Sequence, residues 1–261
     1  MKKIILISLF FAVLSCGSTT SRLVEADMPK VVSEDGTEYI GDTKNGMRHG
    51  KGILKYPGIQ FYEGEWKENM RHGHGKQKYY DGREYEGMWV NDKMEGEGTL
   101  TFADKRVLKG IFKNGYVDGT STVTLPDGSV YKGTVVKNRM EGHGEIVFSD
   151  KAVYKGEFSN DRIHGEGEFR TADGRVYTGT FQNGTIHGKG KVVYTDGSVY
   201  TGTFRNNKID GSGVMRYSDG RVYTGSFRND QMHGKGHMKY KNGRVVNGIW
   251  ENGKLIRKLK K

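Results

Sequence analysis

Apolar and polar residues alternate along most of this chain. In Tyr177-Thr-Gly-Thr-Phe181 the residues Tyr177, Gly179 and Phe181 fall on one side, and Thr178 and Thr180 on the other. After the break Gln182-Asn183-Gly184-Thr185, the residues Gly188, Gly190, Val192 and Tyr194 share a side, with Lys189, Lys191 and Val193 opposite. A period of two marks a strand with one half-buried face. The second run leads into Asp196-Gly197, a pair that recurs as Asp81-Gly82, Asp127-Gly128, Asp173-Gly174, Asp219-Gly220 and Asn242-Gly243. Between alternating runs such pairs signal tight hairpins, because those turns need a positive φ. Each unit therefore reads as a β-hairpin that pairs with the next.

The pattern recurs every 23 residues, with units starting at positions 39, 62, 85, 108, 131, 154, 177, 200, 223 and 246. Six units open on Tyr-x-Gly-x-aromatic: Tyr62 to Trp66, Tyr85 to Trp89, Tyr154 to Phe158, Tyr177 to Phe181, Tyr200 to Phe204 and Tyr223 to Phe227. Tyr131 to Val135 is the aliphatic variant, and the glycine at the third position is present in every unit, from Gly41 to Gly248. A fixed period of this size implies stacked units, each burying its face against its neighbours. On the glycine side a missing Cβ leaves a slot for a neighbouring ring, so aromatic stacking replaces aliphatic depth. Unit four departs, with Leu108, Asp118 and Ser121 at positions that elsewhere carry Tyr, His and Gly; unit one has Thr43 for the strand aromatic. Lys105 and Lys151 replace a turn glycine, which implies strained turns or turns of another type.

These residues resemble the MORN (membrane occupation and recognition nexus) repeat, whose pattern is carried here by Tyr177-Thr-Gly-Thr-Phe181 followed by His187-Gly188-Lys189-Gly190. The resemblance implies an all-β fold: an elongated, single-layer antiparallel β-meander of 23-residue hairpins, a MORN-type solenoid. The expected organisation is a signal peptide over 1–15, a lipidated tether over 16–30, the repeat sheet over 31–253 and a basic tail over 254–261. The sheet comprises a half-unit cap at Asp35-Gly36, nine full repeats and a final half. In the tail, Leu255, Ile256 and Leu259 suggest a short strand or helix covering the last hairpin.

Composition agrees with thin sheets. The 261 residues include 40 glycines, about twice the share of ordinary globular chains. Fifteen Tyr, 11 Phe and 3 Trp exclude a disordered chain, which lacks aromatics. The net charge of +11 becomes +9 without Lys2 and Lys3, and reads as a solvated surplus spread along the chain.

The N-terminus has its own grammar. Lys2 and Lys3 precede an apolar run from Ile4 to Leu14, too short to span a bilayer but suited to a signal peptide. Val13-Leu14-Ser15-Cys16 resembles the bacterial lipobox, which makes Cys16 the lipid-attachment residue. It is the only cysteine, so an intramolecular disulfide is impossible and lipidation accounts for the thiol. Several acyl chains at about 0.8 kcal/mol per buried CH₂ give a lasting anchor. Gly17, where inner-membrane lipoproteins often carry Asp, implies by that resemblance an exported protein of the cell envelope, at the outer membrane.

Candidate chemistry is sparse. His49, His72, His164, His187 and His233 share one repeat position, replaced elsewhere by Glu95, Asp118, Glu141 and Asp210. Equivalent residues two strands apart stand about 9–10 Å from each other. Metal ligands must lie about 2–2.3 Å from one ion, so a shared metal is rejected and these residues read as loop positions shaping a turn. The glycine-rich steps lack the strand–loop–helix context of a nucleotide cradle. No cofactor, metal or catalytic residue is expected, and the chain's end eight residues after the repeats leaves no room for an appended catalytic domain. The expected role is a membrane-anchored, non-catalytic scaffold or protein-binding surface, engaging an unidentified protein or another copy, without nucleic acid. The candidate binding face comprises Tyr62, Trp66, Tyr85, Trp89, Tyr154, Phe158, Tyr177, Phe181, Tyr200, Phe204, Tyr223 and Phe227. An alternative has the sheet bind phospholipid or glycan directly.

Overall fold

The computed structural model describes residues 28–58 and 60–260. The leader, Cys16 and most of the expected tether lie outside the described residues. The rest is one antiparallel sheet of 22 strands, paired in sequence order except that two short pieces together fill the place of one strand and both pair with the strand before them. It runs from β1 (Lys30–Val32) and β2 (Glu38–Lys44) to β21 (Val245–Glu251) and β22 (Lys254–Lys258). The expected half-unit cap is β1, and the C-terminal apolar residues form a strand rather than a helix.

Unit seven shows why the period is 23. Its first strand is β15 (Val176–Gln182) and its second is β16 (Thr185–Val193). Between them Asn183 and Gly184 have φ of 50° and 81°, the two-residue I′ turn that matches strand twist. At the other edge Tyr194 N–H donates to Ser198 O and Gly197 N–H to Tyr194 O. Only Gly197 has a positive φ there, so the Asp-Gly loops are type I turns closed by a glycine bulge. Lys105 and Lys151 adopt this same conformation, with φ of 73° and 76°, so the turn type is kept and the strain is accepted.

The I′ edge also joins one unit to the next. Asp230 N–H donates to Ile209 O at 2.9 Å, and Ile209 N–H donates to Asp230 Oδ1 at 2.8 Å. The same reciprocal pair links Asn69 with Arg48, Asp161 with Met140 and Asn207 with Ile186. Where glycine takes the second turn position, as at Gly184, only the backbone bond remains. Asn and Asp thus accept a left-handed conformation in exchange for a second inter-unit hydrogen bond.

Glycine sets the core. Gly64 pairs with Gly75 inside one hairpin and Gly75 with Gly87 of the next. The ladder continues to Gly236 and Gly248 with one replacement, Ser121. Each tyrosine folds flat across two such glycines. Tyr62 lies over Gly64 and Gly75, its hydroxyl donating to Glu65 O at 2.9 Å, and a Cβ on either glycine would strike the ring. Tyr39, Tyr85, Tyr131, Tyr154, Tyr200 and Tyr223 donate likewise to the carbonyl three residues on. Tyr62, Tyr85, Tyr154, Tyr200 and Tyr223 then meet the strand aromatic of their own unit and of the next edge-on, whereas Tyr39 and Tyr131, beside Thr43 and Val135, meet only that of the next. Tyr62 to Trp66 is 5.0 Å at 83°, and Tyr62 to Trp89 is 5.5 Å at 89°. Such pairs contribute about 0.5–1.5 kcal/mol beyond buried area.

Two interruptions occur. In unit four β8 (Val107–Lys113) carries Leu108, and the second strand is split into β9 (Tyr116–Val117) and β10 (Gly119–Thr124). With no ring to accommodate, Ser121 occupies the glycine position opposite Gly133 of β11 (Val130–Val136). In unit seven Tyr177 is only half-buried and does not cover Gly179 and Gly190; it leans toward Phe204 at 6.1 Å. The buried cluster divides at this point into two.

Burial pushes the hydroxyls of Tyr131, Tyr154, Tyr200 and Tyr223 up from 10.0 to about 12. Tyr62 and Tyr85 are raised further by the same desolvation. A raised tyrosine contributes stability that is complete below its unfolded pKa and is lost as pH climbs through the folded one. The sheet is therefore expected to melt cooperatively between pH 10 and about 12, with tyrosinate absorbance rising together with loss of the β-sheet circular dichroism. Ionisation well before that loss would mean the rings are open to solvent.

Gly144→Ala places a methyl in the Tyr131 ring and is expected to cost about 1–3 kcal/mol in denaturant unfolding. Gly190→Ala is free of the Tyr177 ring and meets Thr178 O and Phe204 at 3.1 and 3.3 Å, contacts looser than that at Gly144, so it should cost less than Gly144→Ala. Equal costs would show that the ring contact does not set the glycine requirement. Lys151→Gly should raise the thermal midpoint, since relieving about 1–2 kcal/mol of left-handed strain exceeds the entropy lost to glycine.

Candidate binding surface

The sheet has two unlike faces. On the ring face, eleven of the twelve aromatic residues expected to bind a partner are buried, Tyr62, Tyr85, Tyr154, Tyr200 and Tyr223 completely. Tyr177 is the half-buried exception. The rings cannot present a binding face because each lies against its own sheet and is covered by the aromatics beside it. A further row, Tyr79, Phe102, Leu125 and Phe148, packs over them from the glycine-bulge turns. Arginines close the rim: Arg48 stacks on Trp66 at 4.3 Å, Arg71 on Trp89 at 4.3 Å and Arg244 on Tyr240 at 4.2 Å. The face that sequence marked for recognition is the hydrophobic core.

The opposite face carries the alternate residues of every strand, and there the glycine backbone is bare. Where the paired glycines cross the sheet, they floor open recesses walled by polar side chains. One of about 670 Å³ has Gly133, Gly144, Gly156 and Gly167 beneath Lys132, His143, Glu145, Lys155 and Glu166. A second, of about 760 Å³, follows over Gly179, Gly190 and Gly202, walled by Thr178, Thr180, Lys189, Lys191, Thr201 and Thr203. A third lies in the N-terminal half over Gly87, Gly98 and Gly110, beside Glu86, Glu97, Thr99, Lys109 and Ile111. Glu166 and Thr178 line both of the first two, so these form one trough across the strands. Periodicity places these residues on one side; the register of successive strands brings them together as walls.

The repeated histidines sit elsewhere than expected. They lie within strands, one residue before a glycine of positive φ such as Gly165 at 64°, where the register shifts by a bulge. Acidic replacements reveal the position's contact. Glu95 accepts from Asn114 N–H at 2.9 Å, Asp118 from Lys137 N–H at 2.7 Å and Glu141 from Asn160 N–H at 2.9 Å. Those donors belong to the I′ turn of the following hairpin, so in these three units the acidic residue holds the next turn from inside a strand. Among the described residues no three His, Cys, Asp or Glu side chains are grouped to hold a metal ion.

Comparison with known proteins places this architecture. Among solved structures the chain resembles the TCP10 domain of Danio rerio CPAP, at 16% identity over 85% of this chain and 100% of that one, with a TM-score of 0.43. The same domain in complex with a peptide of Danio rerio STIL gives 18% identity over 89% and 99% and a TM-score of 0.42. The SAS-4 (dCPAP) TCP domain of Drosophila melanogaster, in complex with a proline-rich motif of Ana2 (dSTIL), gives 11% over 68% and 90% and a TM-score of 0.38. No curated protein matches the chain. The MORN repeat model matches residues 39–58, 62–82, 85–105, 131–153, 154–174, 177–199, 200–220 and 223–243, passing over the unit with Leu108 and Ser121. With the tyrosine–glycine ladder in place over more than half of its length, this chain belongs to the MORN-repeat family.

Proposed function

We propose that this protein is a non-catalytic binding platform, held at a membrane through lipid on Cys16, that receives a segment of a partner protein on its polar face. One observation carries the reading: eleven of the twelve rings are buried in one face, while the other is an open, glycine-floored trough. A polar trough of repeated geometry suits an extended polypeptide, because backbone and hydroxyl groups can hydrogen-bond along its whole length. The platform itself offers repeated rather than singular side chains, which supports a role without catalysis.

The glycan alternative loses its chemical basis, since the rings that would stack on sugars are buried. Edge-to-edge self-association is opposed at the C-terminal end. There β22 presents Lys254, Arg257 and Lys258, and two such edges would bring like charges together. The anchor rests on the sequence of the leader: a lipobox-like Val13-Leu14-Ser15-Cys16 with one cysteine in the chain. The same lipobox-like resemblance supports a location in the cell envelope.

Cys16→Ala is expected to move the protein from the membrane fraction to the soluble one, with the acyl mass lost from the intact protein. A wild-type chain without added mass would remove the anchor from this reading. A photo-crosslinking amino acid at Thr178 or Thr201 should capture the same protein, and one at Tyr80, exposed on a turn, should not. Capture from Tyr80 alone would transfer binding to the sheet edge.

A further inference from the structure

The charge of this protein is segregated, not spread as its composition suggests. Residues 1–175 hold 26 basic and 26 acidic side chains, whereas residues 176–261 hold 16 basic and 5 acidic, so the whole surplus of +11 lies in the last third. The few acids there are mostly engaged by backbone. Asp196 accepts from Ser198 N–H at 2.8 Å, Asp219 from Arg221 N–H at 3.0 Å and Asp230 from Ile209 N–H at 2.8 Å. Asp210 and Glu251 remain. Against them stand Lys189, Lys191, Arg205, Arg228, Lys235 and Lys239. Among the described residues these six make one ion pair, Arg205 with Asp210 at 4.0 Å.

The N-terminal part differs on the same face. There acids stand among the cations: Lys76 and Lys78 pair with Glu84 at 3.6 and 3.4 Å, and Lys132 and Lys155 lie opposite Glu145 in the strand register. The balance changes at the recess over Gly179, Gly190 and Gly202, where Glu166 at one end is engaged by Thr180 and the residues opposite Lys189 and Lys191 are the neutral Thr178, Thr201 and Thr203.

We infer that the C-terminal third of the polar face is a docking site for an extended, acidic polypeptide segment. This assignment rests on the protein-binding reading above and names the chemistry of the partner. Repeat geometry supports it. Equivalent cations such as Arg205 and Arg228 are two strands apart, about 9–10 Å, which equals about three residues of an extended chain at ~3.3 Å each. A strand-like peptide running along the trough therefore meets one repeat with every third residue. Its carboxylates face lysine and arginine, and its backbone faces the threonine hydroxyls. A planar bilayer would touch the rims and leave the recess floor unfilled. A second copy is a poor occupant, because its only unbiased surface, over residues 1–175, has no acidic surplus to offer.

The test is fluorescence anisotropy with the purified full chain and a fluorescein-labelled oligoglutamate peptide. Saturable binding is expected, weakened as salt is raised from low to physiological and above. The triple variant Lys189→Glu, Lys191→Glu, Lys235→Glu should weaken it by about tenfold or more. The control Lys76→Glu, Lys109→Glu, Lys132→Glu, on the charge-balanced part of the same face, should change it by less than about twofold. All six positions are solvent-facing, and circular dichroism checks that both variants keep the fold. Absent binding, or equal loss in both variants, overturns the assignment. So does binding of the wild type to phosphatidylglycerol vesicles or duplex DNA with none to oligoglutamate. A partner crosslinked at Thr201 through a neutral or basic segment would overturn it too, while leaving the binding platform intact.

Discussion

The structure depends on one contact: a tyrosine ring laid flat over two cross-strand glycines, its hydroxyl bonded to the carbonyl three residues ahead. Any side chain at those two positions would lift the ring. With glycine the ring sinks onto the backbone, where the next unit's aromatic can meet it edge-on. A sheet one layer thick thereby acquires a dry core without a second sheet or helix to cover it. The register that stacks the glycines beneath the rings also lines up, on the other face, the polar residues that alternate with them, and these wall the trough.

This contact explains how the exceptions vary together. Where Leu108 removes the ring, the glycine requirement lapses and Ser121 is tolerated. Where Tyr177 turns aside, Phe204 moves toward the vacated space over Gly190 and the core divides. The turns obey a separate logic. At one edge a second turn residue of Asn or Asp stitches each hairpin to its predecessor; at the other, a glycine bulge closes the connection. Lys105 and Lys151 show that the backbone conformation of that bulge is imposed by the flanking strands, and the residue present must conform.

A division of labour follows between positions. Tyrosine, glycine and the strand aromatic face inward and build the repeat, so their identity is dictated by packing. The residues between them face outward and are free to differ from unit to unit. Charge accordingly varies along the chain while the ladder beneath stays constant, with basic and acidic residues equal in number toward the N-terminus and a surplus of cations toward the C-terminus. A partner can thus be selected by the outward residues with little effect on the fold.

The sequence by itself determined the period of two, the 23-residue repeat, the hairpins, the turn positions and the family. Those features are local or repetitive, and alternation and turn chemistry express them directly. It also contained the segregation of charge, which a count over the whole chain averages away. Only the tertiary structure decided which face is buried. Alternation says that Tyr62, Gly64 and Trp66 share a side, but not that the ring folds across the neighbouring strand and is sealed by Trp89 of the next unit. The same holds for Glu95, Asp118 and Glu141, whose contacts lie in the following hairpin, and for the trough, whose walls come together only where successive strands are in register. Burial in a single-layer sheet is a property of neighbouring strands together, and no strand alone can specify it.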